Sequence, residues 1–462
     1  MEKINDRPGN RDFTVRILAV IQNAVFFRNF VSSGALSELA NRYEVILSSN
    51  NPDVENYPLP AGLRWGPRLS ENKSRNKIRY YIQEFVMCGL RTRCRTFGLK
   101  LYRLSWRKRF VYRLVATPWS ARALQRLSEW WLGSDPEVDR LIKDLSPQWV
   151  LLPSSCEDSL TADLIKAARQ AGARSLILVN GWDNLTSKGT IPVVPDKIGV
   201  WGPQAKEDAL RIHDVSENRI VMLGAPHFES YFKRNGATED TNPEIRRFNG
   251  IPDGKRVILF GGCLQPFDEV SALRLLEKAI EAGTIPNAHV LYRPHPWRHS
   301  RAYEDPFKAE EFRHVSLDQQ VAEVFLKVKR GGDTGLSKKH FPDLSYYPKL
   351  IRLADFVISP LSTFVLESLL MGKRTIAICY SDGRHYFSAD KVSQYEHVQC
   401  LQGAAGIQFC RDPNELPNLC RQFFEPVDEA HLYQKIREHL RYILLPNDKP
   451  YADRLAQECN AF

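Results

Sequence analysis

Several patterns that would assign this 462-residue sequence to a common class are missing from it. Its nine cysteines include no Cys-x-x-Cys pair, so neither a disulfide framework nor a zinc site is predicted, and a reducing cytoplasmic environment is favoured. No stretch of about eighteen apolar residues occurs, so no membrane-spanning helix is expected. The segment before Val15 is polar and charged, and no secretory signal peptide is expected there.

Acidic residues are almost absent from one segment. Between Lys73 and Arg126 there are fifteen Lys or Arg and one acid, Glu84, a local charge of +14 against +10 for the whole chain. Nine aromatic residues are interleaved with these bases: Tyr80, Tyr81, Phe85, Phe97, Tyr102, Trp106, Phe110, Tyr112 and Trp119. The mixture is typical of helices that lie at a lipid interface, and it predicts peripheral attachment to an anionic membrane surface through residues 73–126. Nucleic-acid binding is the less favoured alternative for the same segment.

Alternating apolar runs and helical patterns predict an α/β fold. Ten strands are expected, within residues 15–23, 43–49, 149–155, 175–181, 197–202, 219–224, 256–262, 289–296, 353–360 and 374–381. A single helix is expected over 28–42. A polar stretch near residue 240 separates two such sets, which indicates two Rossmann-type parallel-sheet domains facing a cleft. The first domain is expected over 1–235 with a basic helical insertion at about 70–130, the second over 250–425, and closing helices over 426–462.

Unusual residues follow three strands of the second set. The stretch 290–298, VLYRPHPWR, ends a strand with a histidine between two prolines. Ligands of such sheets bind beyond the carboxyl ends of the strands, and arginine, histidine and a helix start are suited to phosphate. A surface turn, a glycine-rich turn and ordinary N-caps are the structural alternatives. The predicted ligand-binding residues are Gly261, Gly262, Gln265, Arg293, His295, Ser359, Ser362, Thr363 and Glu367.

Short motifs in these loops resemble known transferases. The order of Gln-Pro (265–266), His-Pro (295–296) and Ser-Thr at a helix start (362–363) resembles GT-B-fold bacterial transferases of CMP-activated acidic sugars, namely the Kdo transferases of capsule assembly and the sialyltransferases. YRPHP (292–296) and ADFVISPLSTFVLESLLMGK (354–373) are similar to CDP-glycerol glycerophosphotransferases and, more distantly, to UDP-GlcNAc 2-epimerases. The segment 180–202 resembles a group of GT-B-like bacterial proteins. The likeness covers about residues 149–385. It implies a donor site in the second domain, in which His295, Ser362 and Thr363 contact the donor phosphate and Gln265 is a further donor-site residue.

A transferase of this kind needs a base from the first domain to deprotonate the acceptor hydroxyl. Asp158 and Asp183 both follow predicted strands, and His295 is the candidate that could protonate a leaving group. The sialyltransferases carry an acidic-acidic-Gly motif where this chain has Glu157-Asp158-Ser159. The analogy favours Asp158 as the base and Asp183 as a further site residue, but the departure from the motif leaves either aspartate as the base. The acceptor side is predicted to include Arg28, Ser33, Trp182, Asn184 and Lys188.

These observations predict a metal-independent glycosyltransferase. No Asp-x-Asp follows a matching strand, and no His or Cys cluster has metal-ligand spacing, so no metal or cofactor is expected besides the nucleotide-sugar substrate. A CMP-sugar donor and a surface-polysaccharide or lipid-linked acceptor are favoured. A CDP-glycerol-type polyol-phosphate transferase and a nucleic-acid-binding protein are the alternatives.

Overall fold

A computed structural model describes residues 15–156, 158–232, 242–295, 307–322 and 344–460. The strands of the first sheet are β1 (Arg16–Val20), β2 (Glu44–Ser48), β3 (Arg64–Trp65), β4 (Trp149–Ser154), β5 (Arg174–Val179), β6 (Lys197–Val200) and β7 (Ile220–Met222). Those of the second are β8 (Arg256–Gly261), β9 (Ala288–Arg293), β10 (Val315–Leu317), β11 (Phe356–Pro360), β12 (Thr375–Ile378) and β13 (Ile407–Cys410).

The α-helices divide along the chain in the same way. Those before the second sheet are α1 (Ala24–Phe26), α2 (Ala35–Ala40), α3 (Pro52–Glu55), α4 (Lys73–Gly89), α5 (Arg95–Lys100), α6 (Trp106–Val115), α7 (Pro118–Leu132), α8 (Pro136–Leu145), α9 (Ser159–Gln170), α10 (Asn184–Ser187), α11 (Pro203–His213), α12 (Glu229–Phe232) and α13 (Asn242–Phe248). The later ones are α14 (Glu269–Glu281), α15 (Tyr346–Leu353), α16 (Thr363–Leu370), α17 (Ala389–Val392), α18 (Leu416–Phe423), α19 (Glu429–Leu440) and α20 (Tyr451–Asn460). No helix of the described ranges is long and apolar enough to cross a bilayer.

Both sheets are parallel throughout their described strands. The first has the order β3-β2-β1-β4-β5-β6-β7 and the second β10-β9-β8-β11-β12-β13. In the central strands almost every residue is buried, as in Ile17–Val20, because helices cover both faces of a parallel sheet. The order reverses between β1 and β4 and again between β8 and β11, so each sheet has a crevice at that point. The two-domain Rossmann-type architecture expected from the sequence is confirmed.

The basic insertion (residues 70–130) is helical and joins β3 to β4. Its helices α4 and α7 pack closely, since a Cβ on Gly89 would lie 2.5 Å from the Cβ of Ala121. Arg79 of α4 is 3% exposed and donates hydrogen bonds to both oxygens of Glu129 on α7, at 2.8 and 2.9 Å, and to both oxygens of Asp163 on α9, at 2.7 and 2.8 Å. This buried network attaches the insertion to the first domain.

The C-terminal helices belong to different domains. α19 packs into the core of the second domain through Ile436 and Leu440. α20 returns to the first domain, where Leu455 lies in the core below β1 and the indole of Trp149 donates to the carbonyl of Cys459 at 3.1 Å. The chain therefore crosses between the domains both before β8 and after α19.

All ten predicted strands are present, while β3, β10 and β13 were not predicted. The three are short strands at sheet edges, where an apolar run is not needed. The prediction of a single helix over 28–42 was wrong, because this segment contains a π-helical turn over Phe27–Ser32, which lies between α1 and α2. Gly34, with φ of +88°, ends that turn before α2 begins.

Candidate functional site

A cavity of about 500 Å³, here called the cleft, lies between the carboxyl ends of the two sheets. Thirteen of the sixteen predicted site residues line it. From the first domain these are Arg28, Asp158, Trp182, Asp183, Asn184 and Lys188, and from the second Gly262, Gln265, Arg293, His295, Ser362, Thr363 and Glu367. Residues more than 300 positions apart in the chain thus share one cavity because both sheets direct their strand ends toward it.

Three predicted residues do not line the cleft. Gly261 is the last residue of β8, where an added Cβ would lie 2.2 Å from the ring of Phe364, so its role is packing. Ser359 is fully buried, and its hydroxyl bonds the carbonyl of Pro360 at 2.8 Å. Ser33 follows the π-helical turn and lies outside the cavity. The structure therefore does not place these three residues at the cleft: Gly261 and Ser359 are buried in the protein, and Ser33 is partly exposed outside the cavity.

Two loops of the second domain meet at Gly262. Its N–H donates to the carbonyl of Arg293 at 2.8 Å, and an added Cβ would lie 2.9 Å from the backbone nitrogen of His295. Only glycine therefore lets the loop after β8 touch the loop after β9. His295 is half-buried at the cleft wall, as expected for a strand end. Its predicted neighbours Pro296 and Arg298 lie outside the described residues.

The third loop places a helix start against the cavity. Ser362 is the N-cap of α16, and its hydroxyl accepts from the N–H of Phe364 at 3.3 Å. Thr363 is the first helical residue, so its N–H is among those without an intrahelical acceptor. Such a start favours an anion through its N–H groups and the helix dipole.

Arg293 is a buried cation with partners inside the protein. Its guanidinium lies 3.9 Å from the ring centre of Tyr347, and its Nε is 3.7 Å from Asp318. Although burial opposes the charge, Tyr347 and Asp318 raise the pKa of Arg293. It therefore supplies a fixed positive charge at the cleft wall.

Glu367 faces the first domain. Its carboxylate accepts a hydrogen bond from the hydroxyl of Tyr231 at 2.5 Å. Burial raises the pKa of Glu367, opposed by that bond and by the charges of Arg293 and Arg28. Because Glu367 and Tyr231 lie on opposite sides of the interdomain linker, their bond holds the cleft together at its base.

The two candidate bases have different surroundings. Asp158 accepts from the hydroxyl of Ser154 at 2.8 Å and from the N–H of Ser155 at 2.7 Å, which orients its carboxylate at the start of α9. Asp183 is half-buried and accepts from the hydroxyl of Ser187 at 2.5 Å. Burial would raise the pKa of Asp183, but nearby positive groups and the Ser187 bond lower it. Asp183 thus stays ionised and is a weak proton acceptor.

The loop around Asp183 is braced by its own predicted residues. Asn184 accepts from the N–H of Gly181 at 2.6 Å, and Trp182 is 4% exposed. The ring of Trp182 meets that of His397, from the second domain, edge-on at 4.7 Å between centres. These side chains hold the loop in place, while Lys188 at its end lines the cavity.

Sequence reasoning missed Lys100, Tyr395 and His397, all of which line the cleft. Lys100 ends α5 of the basic insertion, donates to the carbonyl of Ser187 and lies 5.7 Å from the ring centre of Tyr395. His397 contacts the hydroxyl of Thr186 at 2.8 Å. No local pattern marks these three positions, since only the fold brings them to the cavity.

The same part of the insertion also contacts the second domain. Tyr102 stacks on Phe387 with 4.5 Å between ring centres and 8° between planes. The N–H of Glu396 donates to the hydroxyl of Thr96 at 2.8 Å, and the N–H of Arg95 donates to the carboxylate of Glu396 at 3.0 Å. The insertion therefore reaches the cleft through Lys100 and touches both domains.

His227, in the segment before the linker, is buried and also lines the cleft. Burial and the charge of Arg28 hold its pKa well below the usual value, so the ring is neutral. Its Nδ1 has no hydrogen-bond partner among the described residues. Within those residues no group of three His, Cys, Asp or Glu side chains is arranged to hold a metal ion.

Comparison with known proteins shows the fold. No protein-family model matches the chain, and no curated protein matches it in sequence. Among solved structures it is similar to the wall teichoic acid polymerase TagF, with 11% identity, a TM-score of 0.51, and 96% of this chain and 89% of that chain covered. It is also similar to the UDP-N-acetylglucosamine 2-epimerase of Rickettsia bellii, with 10% identity, a TM-score of 0.50, and 97% and 96% covered. These structures share the arrangement of two Rossmann-type domains, and the chain has the GT-B fold.

Proposed function

We propose that this protein is a GT-B glycosyltransferase that moves a sugar from a nucleotide-activated donor to a surface-polysaccharide or lipid-linked acceptor at the cytoplasmic face of a membrane. The observation that carries the proposal is the convergence of three donor loops and two carboxylates on one interdomain cleft. A CMP-sugar is the favoured donor, on the motifs of those loops. The nucleotide-sugar is a substrate, and no metal or other cofactor is invoked.

The donor would bind on the second-domain side. The start of α16, with Ser362 and Thr363, offers N–H and hydroxyl donors for the diphosphate or phosphate, and His295 faces the same cavity. Arg293 contributes a nearby positive charge that its internal partners keep in place. Together these groups would stabilise the negative charge that develops on the leaving nucleotide.

The acceptor would enter from the first-domain side. We assign the role of general base to Asp158, whose carboxylate is oriented by Ser154 and Ser155. Asp183, with its lowered pKa, is suited to holding an acceptor hydroxyl rather than to accepting its proton. Arg28 and Lys188 would bind acidic groups of the acceptor.

Nucleotide binding tests the donor site. Thermal shifts with CMP, CDP and UDP identify the nucleotide, since a ligand that binds the folded state raises its melting temperature. We expect His295→Ala and Ser362→Ala each to lower the affinity for the preferred nucleotide by roughly ten- to a hundredfold. This corresponds to the loss of about 1.5–3 kcal/mol, the contribution of one charge-assisted hydrogen bond. His431→Ala and Ser105→Ala, an exposed histidine and a serine N-cap that do not line the cleft, are the matched controls. Unchanged affinity in both cleft variants would place the donor elsewhere.

Transfer assays with the nucleotide so identified test the base. Asp158→Asn keeps the shape and removes the proton acceptor, so turnover should fall by roughly 10²- to 10⁴-fold while nucleotide affinity stays the same. Asp183→Asn should raise the acceptor KM more than it lowers kcat. The opposite pattern would exchange the two roles, and full activity in both variants would refute the assignment.

A polyol-phosphate transfer is the second candidate, because the chain shares its fold with TagF, a wall teichoic acid polymerase. Both proposals place the phosphate of the donor at the same site, the start of α16. Both reactions release CMP, so the released nucleotide does not distinguish them. Incubation with CDP-glycerol and with CMP-sugars, followed by mass spectrometry of the product, identifies the transferred group and separates the two candidates.

We also propose that the basic insertion attaches the protein to an anionic membrane. Many of its bases already have internal partners; for example, Arg91 donates to the carbonyls of Cys88 and Ala116, Arg93 pairs with Asp214, and Lys108 pairs with Glu84. The exposed apolar side chains of α6 and α7 would therefore carry much of the attachment. This aromatic face consists of Trp106, Phe110, Leu114, Trp119, Leu127, Trp130 and Trp131, each more than 60% exposed.

The aromatic face has the pattern of an interfacial surface. On α6, Trp106, Phe110 and Leu114 are spaced by four residues and share one side, with Arg109 and Arg113 beside them. Burying one such side chain contributes about 1.5–3 kcal/mol, and a base near anionic lipid about 1 kcal/mol. α6 begins six residues after Lys100 of the cleft, so at most about 22 Å of chain separates the two.

Vesicle sedimentation tests the attachment. Trp106→Ala/Phe110→Ala should weaken binding to phosphatidylglycerol-containing vesicles by roughly tenfold or more, and high salt should weaken it further through loss of the charge contribution. Phe248→Ala, which removes an exposed aromatic residue elsewhere, is the control. Tight binding of single-stranded RNA without vesicle binding would replace this proposal by the nucleic-acid alternative.

A further inference from the structure

A second groove lies outside the cleft, between α7 and the loop that precedes β6. It has a volume of about 470 Å³. One wall is apolar and consists of residues 191–194, Ile-Pro-Val-Val, and Trp130 stands at its edge. Trp130 is 79% exposed and belongs to the aromatic face, so the groove opens beside that face.

The charges deep in this groove are compensated. Arg122 pairs with Asp214 at 2.9 Å, and Lys166 pairs with Glu129 at 2.7 Å. His213 is buried, and its pKa is lowered to about 4, so it is uncharged near neutral pH. These groups leave no net charge in the interior of the groove.

Two arginines at the rim are not compensated. Arg126 on α7 and Arg169 on α9 are exposed, line the groove and form no ion pair with a described residue. Arg169 makes one hydrogen bond, to the carbonyl of Val194 at 3.0 Å. Burial lowers the pKa of Arg122, the pairing with Asp214 opposes this, and repulsion from Arg93 and Arg126 lowers it further.

We propose that this groove binds one molecule of an anionic phospholipid. Its phosphate lies between Arg126 and Arg169, and an acyl chain lies along Val193 and Val194 beside Trp130. A free phosphate would use the two arginines and leave the apolar wall bare, whereas a lipid matches both parts. The inference rests on the proposed membrane attachment only in that a membrane would supply the lipid.

Short-chain lipids test the groove without a bilayer. Calorimetric titration of the full-length protein uses dihexanoyl phosphatidylglycerol below its micelle concentration, with dihexanoyl phosphatidylcholine and inorganic phosphate as comparisons. We expect the glycerol lipid to bind about tenfold more tightly than the choline lipid, since only the former has a net negative charge. Arg126→Gln/Arg169→Gln should abolish this preference, and Arg109→Gln/Arg113→Gln, two bases beside the aromatic face but outside the groove, should retain it.

Variants of the apolar wall test the position of the chain. Trp130→Ala should weaken binding of the short-chain lipid severalfold. Trp131 is exposed and lies outside the groove, so Trp131→Ala should leave this binding unchanged. Equal binding of both lipids, an unchanged preference in the double arginine variant, or competition by inorganic phosphate at equal concentration would each overturn the proposal. Vesicle binding that depends on Trp106 and Phe110, with no short-chain preference, would refute the groove and keep the attachment. Selective binding of the short-chain lipid without vesicle binding would support the groove and refute the membrane attachment.

Discussion

Replacing Arg79 by methionine should destabilise the first domain more than any other single change in the basic insertion. The guanidinium is 3% exposed and makes four hydrogen bonds to Glu129 and Asp163, plus one to the carbonyl of Ser159 at 2.8 Å. Methionine fills similar space but leaves two carboxylates buried with fewer partners. Breaking a buried ion pair on one side costs about 3–5 kcal/mol. In a domain of this size that lowers the melting temperature by roughly 6–20 °C.

The same network predicts a pH dependence of known sign. Burial would raise the pKa of Glu129 and of Asp163, but hydrogen bonds from Arg79 and its neighbours lower both. A carboxyl group with a lowered folded pKa contributes stability above its unfolded pKa, and that contribution is lost as the pH falls through the folded value. The difference between wild type and Arg79→Met should therefore be largest near pH 7 and shrink below about pH 4.

Scanning calorimetry between pH 7 and about pH 3 measures both effects. Arg140→Met is the control, since Arg140 of α8 is exposed and makes no hydrogen bond with a described residue. A melting temperature for Arg79→Met within about 2 °C of the control at pH 7 would show that the network does not hold the insertion in place. A difference that grows toward pH 4 would contradict the assigned ionisation of the carboxylates.

Three further substitutions test the geometry around the cleft. Gly262→Ala should weaken nucleotide binding while the fold is kept, because its Cβ would displace the backbone at His295, 2.9 Å away; unchanged affinity in a nucleotide titration would contradict this contact. Tyr102→Ala removes the stack between insertion and second domain, and should increase proteolytic cleavage of the insertion without changing its helix content by circular dichroism. Gly202→Ala would place a Cβ 2.8 Å from the carbonyl of Ile443, and should lower the melting temperature measured by calorimetry, where an unchanged value would show that the C-terminal segment is free to shift.

The strands of the fold were predictable because they are buried on both faces. Ile17–Val20 and Val290–Tyr292 are continuous apolar runs, and only a sheet covered by helices on both sides gives such runs in a chain of this kind. The edge strand Ile407–Cys410 is partly exposed, and its alternation of apolar and polar residues is too weak to predict a strand from the sequence. Pairing with β12, not composition, makes it a strand.

The cleft was predictable where chemistry follows a strand end, as with His295 and Ser362. Their roles stay predictions, although both line the cavity. Lys100 and His397 were not predictable, because each reaches the cleft through a contact between distant segments. Charge counting along the insertion also could not show that Arg91 is held by internal carbonyls, since partners are a property of the folded chain.

The return of α20 to the first domain has a consequence for synthesis on the ribosome. The indole of Trp149 and the carbonyl of Cys459 are 310 residues apart, and Leu455 fills part of the core below β1. Until that helix has emerged, the earliest-made domain would present an uncovered apolar surface for the time needed to translate the whole second domain, about 15 to 60 s at 5–20 residues per second. Folding of the N-terminal half would thus be completed last, and during that interval a chaperone would be expected to shield the place that α20 later occupies.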